Sequence, residues 1–473
     1  MSDASIGTPE QLRDPDYTPP LSKAIPLGIQ HVLAMFVSNV TVAIIIAGAA
    51  GFGFGSDQGA LGFPDMTLMI QMSMLFAGVA TLIQTIGAGP VGSRLPIVQG
   101  TSFAFIPIMI PLVAGKGVEA MGIIACGVLA GGLFHALLGT VIGRIRFALP
   151  PLITGLVVLM IGLALVRVGI QYSAGGVPAI GTDAYGSFSS WSLALVVIFV
   201  TLGVKFFARG IWSVAAVLIG LIAGYLVAMV TGQVSFAPVQ NAGWVQVPSL
   251  MPFGFEFSVA AVVGFCLMGF VSAIETVGDV EGITKAGAGR PATDREVEGA
   301  TFADGLGSMV AGAFGALPNT SFSQNVGLIA MTGVMSRHVA TIGAIFLIIC
   351  GLIPKIGAVV ASVPIEVLGG GVVIMFGMVA AAGVNMLSDV IWNRRNMVIF
   401  AVALSVGLGL QLEPGALQHV PETLRVLLVT GLLPAAAIAI GLNLLLPKEL
   451  SAEATEEVSG GHAGHGRGLR TDD

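Results

Sequence analysis

A run of polar residues in the middle of a strongly apolar chain offers the first chemistry. The segment from Leu317 to Gly333 reads LPNTSFSQNVGLIAMTG and holds asparagine, threonine, serine and glutamine side chains in near-continuous order. Hydroxyls and primary amides form directional hydrogen bonds, and an amide both donates and accepts. Inside a membrane such a run is costly unless it faces protein or a water-filled cavity. We therefore expect a binding site here, followed by a short helix from about Val326 whose free N–H groups add to it.

Four ionisable residues fall inside apolar segments and are further candidates. Glu275 and Asp279 are four residues apart in SAIETVGD, so a helix would carry both carboxylates on one face. Asp304 is expected at the start of a later segment, and His31 follows Gln30 in the first. Ionisable groups within a membrane are functional candidates, although each could instead brace neighbouring helices as a buried polar group. Desolvation disfavours the charged form of a buried carboxylate, which makes proton coupling an expectation.

These residue types suit a planar heterocycle. A carboxylate such as Glu275 accepts hydrogen bonds from ring N–H groups, whereas the Gln324 amide donates one bond and accepts another. Together they could hold a ring that carries adjacent N–H and C=O groups. Phe103, in another short polar stretch, could stack on that ring.

The composition identifies the setting as a membrane. Of the 473 residues 55% are hydrophobic and only 10% are charged, and the mean hydropathy is +0.94. A soluble domain carries about a quarter charged residues. The three cysteines are widely separated in apolar stretches, without the spacing of a disulfide framework or a metal site. No pattern indicates a cofactor or a nucleic-acid-binding patch.

The apolar runs predict an all-α polytopic membrane protein with fourteen transmembrane segments. Positive charge supports this number, because sixteen of the 20 Lys and Arg residues then fall on the side of both termini, which the positive-inside rule makes cytoplasmic. The predicted segments are 27–50, 65–87, 98–114, 119–141, 149–171, 189–208 and 212–232, then 257–282, 301–316, 321–334, 339–354, 357–384, 396–412 and 423–446.

Two sets of seven segments suggest an inverted repeat, since an odd number returns the chain on the opposite side. The third and tenth segments are short and broken, and each follows a Leu-Pro pair, at Leu95 and at Leu317. The sequence Phe-Val-Ser also occurs twice, from Phe36 and from Phe270. Chance recurrence in an apolar chain is the alternative. Interrupted segments at matching places in two halves are typical of a transporter binding site.

Several motifs together resemble a known family. Gln324-Asn325-Val326-Gly327 followed by Thr332-Gly333 resembles the signature of the nucleobase–ascorbate transporters, also called the nucleobase:cation symporter-2 family. The pair Gln30-His31 and the stretches GTSFAF, AIETVGD and VLGGGVVIMFG are similar to the same family. The resemblance covers about residues 24–446 and is strongest to bacterial xanthine and uric acid permeases.

This resemblance implies a division into two domains and a homodimer. A core domain would contain segments 1–4 and 8–11, a gate domain segments 5–7 and 12–14, and the substrate would lie between them. The corresponding ranges are a cytoplasmic N-terminal tail at 1–26, core parts at 27–146 and 257–355, gate parts at 147–256 and 356–446, and a cytoplasmic C-terminal tail at 447–473.

The resemblance also assigns substrate ligands. Glu275 and Gln324 are the main ones, Phe103 packs on the ring, Ser323 offers its backbone, and Asn325 supports the site.

Three further family positions are polar. His31 and Asp304 hold the site or serve coupling. Asp279 is also a polar position, but some relatives carry histidine there, which leaves its role open.

The implied function is proton-coupled symport of xanthine or uric acid across the inner membrane by alternating access. Within the family, Glu at the position of Gln324 is typical of uracil carriers and Gln of xanthine or urate carriers. A uracil permease and a sulfate or bicarbonate carrier of the same architecture are the alternatives. A channel is disfavoured by the paired broken segments, and an enzyme by the absence of a catalytic constellation in the sequence.

Overall fold

A computed structural model describes residues 6–52 and 63–447 of the chain. Helices dominate, as expected for an apolar chain that must satisfy its own backbone hydrogen bonds in lipid. The first half contains α1 (Pro9–Arg13), α2 (Leu21–Ala50), α3 (Phe63–Ile86), β1 (Gln99–Thr101), α4 (Ile106–Val113), α5 (Met121–Leu138), α6 (Ile142–Ile145), α7 (Pro151–Ser173), α8 (Phe188–Phe207), α9 (Ile211–Val214) and α10 (Ala216–Val230).

The second half follows a similar sequence of elements. It contains α11 (Ala237–Asn241), α12 (Val259–Ile283), α13 (Asp294–Ala313), β2 (Asn319–Ser321), α14 (Gln324–Thr332), α15 (Arg337–Gly351), α16 (Pro354–Ala361), α17 (Ile365–Leu387), α18 (Arg394–Leu412), α19 (Glu422–Val429) and α20 (Leu432–Leu445).

The chain is a multi-pass membrane protein. Within the described residues, eight helices are long and apolar enough to cross a membrane, and α15 with α16, bent by 80° at their junction, could form a ninth span. Each of the fourteen predicted segments overlaps at least one helix. The helical membrane class is therefore confirmed, while the count of fourteen and the inverted repeat stay predictions. Residues 448–473, which hold nearly all of the predicted C-terminal tail, lie outside the described residues.

Three local expectations need correction. The chain is not purely helical, because β1 and β2 form a two-stranded antiparallel sheet. Asp304 lies in the middle of α13, since a capping box between Thr293 and Glu296 starts this helix well before the predicted residue 301. The predicted segment 357–384 is divided into α16 and α17, because Pro364 has no N–H to continue a helix.

Two broken units stand at the centre of the fold. We call residues 99–113 the first strand–helix unit, β1 followed by α4, and residues 319–332 the second, β2 followed by α14. Gly100 lies opposite Thr320 in the register, and every residue of both strands is buried. The pair ties the two units together.

The helices around these units pack into two sets. In one, α5 packs on α12 and α13, while α3 packs on α13, α15 and α2. In the other, α7 packs along α17, and α8, α10, α18 and α20 surround this pair. Both sets rely on small residues: a β-carbon at Gly305 would collide with Ala136 in α5, and one at Gly383 with Leu159 in α7.

Candidate functional site

The outward-facing N–H groups of the two strands are satisfied by side chains from the surrounding helices. On β1, the Gln99 N–H donates to the Thr81 hydroxyl (2.9 Å) and the Thr101 N–H donates to Oδ1 of Asn39 (2.8 Å). On β2, the Asn319 N–H donates to the Ser308 hydroxyl (2.9 Å). Buried backbone donors are costly to leave unpaired, so these side chains fix the strands in place.

Asp304 joins α13 to both units. Its Oδ2 accepts a bond of 2.5 Å from Thr276 in α12, and its Oδ1 accepts one from the Gln99 amide. The backbone N–H of Ser321 also interacts with this carboxylate. The side chain is fully buried at 0% exposure. Asp304 therefore fixes both strands to α13 from within the core. Sequence analysis missed Gln99 and Thr276, although Gln99 directly precedes the stretch GTSFAF that it had noted.

Asp279 holds the loop between β2 and α14. Its Oδ2 accepts a hydrogen bond from Ser321 and its Oδ1 accepts one from Ser323, both 2.7 Å long. One turn earlier on α12, Glu275 is 8% exposed, and its Oε2 has no hydrogen-bond partner among the described residues. The charged neighbours of Glu275 are Asp279 and Asp304. The three predicted acids thus form one buried cluster, in which Glu275 retains free acceptor capacity.

Asn325 connects three elements, and its bonds define the state of His31. The Asn325 amide nitrogen donates to the Pro96 carbonyl (2.5 Å), an oxygen that can only accept. This fixes Oδ1 toward Nδ1 of His31 at 2.5 Å, so Nδ1 must carry the proton that bridges them. His31 therefore braces the start of α14 from α2.

Phe103 lies in a cluster of three phenylalanines rather than on an open surface. Its ring centroid is 5.1 Å from that of Phe376 in α17, edge to face, and 6.2 Å from that of Phe322. Phe103 is 7% exposed and Phe376 is fully buried. The first strand–helix unit therefore contacts α17 of the second helix set through these rings.

Two cavities flank the start of α14. The larger, about 790 Å³, lies beside α7, α12 and α17, and its polar lining includes Asp279 and Ser323. The smaller, about 540 Å³, lies beside α2, α8, α10 and α17, and its lining includes Ser323 and Gln324. Neither is lined by Glu275 or Phe103. Ser323 and Gln324 thus line a cavity. The other predicted ligands, Glu275, Phe103 and Asn325, line neither of these two cavities.

The fold is that of a class of membrane transporters. The transmembrane domain of the cyanobacterial bicarbonate transporter BicA matches with a TM-score of 0.55 at 13% identity, covering 89% of this chain and 97% of that chain. The murine Solute Carrier 26 family member A9 anion transporter, in an inward-facing state, matches with a TM-score of 0.59 at 12% identity over 90% of this chain and 68% of that one. At such identities the likeness shows the fold alone.

Sequence comparison then gives the family. The model of the Permease family matches residues 22–415, so the chain belongs to this family, the nucleobase:cation symporter-2 family that its motifs resemble. The chain is 34% identical to uric acid permease PucJ of Bacillus subtilis over 92% of its own length and 96% of that protein. It is likewise 34% identical to xanthine permease XanP of Escherichia coli over 91% of its length and 93% of that protein. Since these proteins are permeases, the prediction of a transporter rather than an enzyme is confirmed.

Proposed function

We propose that this protein is a proton-coupled symporter that imports an oxidised purine nucleobase, xanthine or uric acid. The observation that carries the proposal is the free Oε2 of Glu275, a buried carboxylate oxygen that has no hydrogen-bond partner within residues 6–52 and 63–447. A buried acceptor without a partner is costly unless a ligand or a proton satisfies it. The N–H groups of a planar nucleobase would supply that bond.

Gln324 would supply the second recognition element. It begins α14, is half-buried and lines the smaller cavity, where its amide can both donate and accept. A purine with C=O and N–H groups on both rings fits such an amide better than a carboxylate would. The uric acid and xanthine permeases among the relatives support this substrate class.

Alternating access would open the route between the cavities and Glu275. The set containing α2, α3, α5, α12, α13 and α15 corresponds to the proposed core, and the set containing α7, α8, α10, α17, α18 and α20 to the proposed gate. Phe376 of the gate contacts Phe103 of the core, and this contact lies where the substrate ring would stack. Movement of α17 away from Phe103 would expose the ring and admit the substrate to Glu275.

Proton coupling rests on the same carboxylates. Three buried acids, Glu275, Asp279 and Asp304, lie together beside the strand pair. A proton taken up there would complete the hydrogen bonding of the cluster, and its release would follow the conformational change. We propose a homodimer in the inner membrane with both termini cytoplasmic, fourteen spans and two inverted repeats.

An anion carrier is the second candidate, and one observation counts against it. Sulfate and bicarbonate would need a neutral or cationic pocket at the helix N-termini of the two units. The site instead contains Glu275, Asp279 and Asp304, all buried. Sulfate has no N–H group that could donate to the free Oε2 of Glu275, whereas a purine nucleobase does.

Uptake into vesicles tests the proposed function. Labelled xanthine is added outside vesicles that contain the reconstituted protein, and an inward proton gradient, an inward sodium gradient or no gradient is imposed. We expect accumulation only with the proton gradient, and competition by uric acid but not by uracil or sulfate. Sodium-driven uptake would contradict the coupling, and competition by uracil alone would contradict the substrate class.

A further inference from the structure

Asn39 is a buried side chain of α2 that the proposed mechanism leaves unused. It lies eight residues after His31 on the same helix and is 0% exposed. Its Oδ1 accepts two hydrogen bonds from Thr101, one from the backbone N–H (2.8 Å) and one from the hydroxyl (2.9 Å). Its Nδ2 donates to the Ser73 carbonyl in α3 (3.1 Å). One amide therefore joins α2, α3 and the end of β1.

The position that Asn39 controls is the last residue of β1. Thr101 lies opposite Asn319 in the strand pair, and its N–H points away from β2 toward α2. The next N–H, that of Ser102, donates to the Pro318 carbonyl (2.8 Å). Together these two bonds fix the backbone from both sides immediately before Phe103.

We propose that Asn39 is a positioning residue for substrate binding, acting through Thr101 to set the place of the Phe103 ring. This inference rests on the proposed function, in which that ring packs on the nucleobase. Without Asn39 the Thr101 N–H would lose its acceptor in a buried setting, and the strand end would relax. An aromatic platform that moves by a fraction of an ångström stacks less well on a rigid planar ligand.

A matched control lies two residues along the same helix. Among the residues that the structure describes, the Thr41 hydroxyl, 1% exposed, donates only to the Val37 carbonyl of its own helix (2.7 Å). Thr41→Val therefore removes a buried polar group from α2 without touching β1. Thr101→Val, in contrast, removes one of the two bonds to Asn39 and leaves the backbone bond in place.

The test compares xanthine affinity and uptake kinetics across these variants in the full-length protein. We expect Asn39→Ala to raise the Kd and the KM about tenfold with Vmax within about twofold, Thr101→Val to raise both about threefold, and Thr41→Val to leave both unchanged. The double variant Asn39→Ala/Thr101→Val should bind no more weakly than Asn39→Ala alone, because both changes break one interaction. A merely structural role would lower the melting temperature without this pattern in the Kd.

Different outcomes distinguish failure of this inference from failure of the proposed function. Wild-type affinity in Asn39→Ala, or additive losses in the double variant, would overturn this inference alone. If Asn39→Ala does not reach the membrane, Thr101→Val decides, and an unchanged KM there overturns the inference. A wild-type protein that binds neither xanthine nor uric acid overturns the proposed function, and this inference with it.

Discussion

The two strand–helix units meet in one antiparallel pair, yet they are held by different chemistry. The backbone of the first unit is fixed by neutral groups, the Thr81 hydroxyl and the Asn39 amide, and its helix α4 is wholly apolar. A carboxylate reaches this unit through one side chain, that of Gln99, which donates to Asp304. The second is surrounded by the carboxylates of Asp279 and Asp304, and its helix α14 begins with Gln324-Asn325. Carboxylates are thus concentrated at the second unit. In the function proposed above, the first unit would supply a platform for the substrate ring, and the second would supply recognition and coupling.

Replacing the free carboxylate beside the second unit should have the largest effect. Glu275→Gln keeps the shape but loses the charged acceptor, and a hydrogen bond to a charged group contributes ~1.5–3 kcal/mol. We expect xanthine uptake to fall by about 100-fold, near the upper end of that range, at an unchanged amount of protein in the membrane. Glu119→Gln, the same chemical change at an exposed residue, serves as the control. Near-normal uptake by Glu275→Gln would contradict the ligand role.

Replacing the charged side chain of Asp304 by a neutral one tests whether charge distinguishes the two strand–helix units. Asp304→Asn would resemble the Asn39 amide, but its NH₂ group would replace one carboxylate oxygen and face the donor from either Thr276 or Gln99. We expect uptake to fall by roughly 30-fold, because one donor would lose its acceptor and the other would donate to a neutral oxygen in place of a charged one. Uptake assays with quantified membrane protein measure this. Full activity would mean that charge at this position is dispensable and that the two units are equivalent.

The aromatic platform of the first unit should matter less than the carboxylates. Phe103→Ala removes a ring whose stacking on a base is worth about 1–3 kcal/mol. We expect the KM for xanthine to rise about tenfold, whereas Phe103→Tyr should stay close to wild type. Equal KM values for the alanine variant and wild type would show that Phe103 only fills the space against Phe376.

The amide at the start of α14 should control selectivity more than rate. Gln324→Glu replaces a group that donates and accepts by one that only accepts. We expect the ratio of uracil to xanthine inhibition to shift about tenfold toward uracil in competition assays. Gln324→Asn, which keeps the amide on a shorter side chain, should weaken binding without this shift. An unchanged competition profile in Gln324→Glu would show that the amide does not determine substrate selectivity.

The smallest effects should come from the hydroxyls that hold one strand each. Thr81→Val and Ser308→Ala each leave one buried strand N–H without its acceptor, which costs ~1–3 kcal/mol of stability. We expect similar drops in melting temperature, with Ser308→Ala lowering uptake severalfold more because its strand leads into Gln324. Equal losses of uptake would indicate that the two units contribute alike.

The sequence predicts the chemistry of this site better than its geometry. The polar run 317–333, the acids of α12 and Asp304 stand out, because polar groups are rare in an apolar chain. The strand pair does not, since three residues per strand are too few to show a period of two. Contacts such as Ser323 with Asp279 or His31 with Asn325 join residues far apart in the sequence. The sequence around Asn39 does not indicate its role, because its partner Thr101 is 62 residues away and is brought to it only by the fold.

Binding of nucleobases to the purified protein is the most direct test of the proposed substrate class. Xanthine, uric acid and uracil are added separately, and the melting temperature is recorded from pH 5 to 8. A ligand present at about 100 times its Kd stabilises the folded state by ~2.7 kcal/mol, which raises the apparent melting temperature. We expect stabilisation by xanthine or uric acid and not by uracil. Stabilisation by uracil alone would contradict the assignment of Gln324, and no response to any nucleobase would contradict the proposed function.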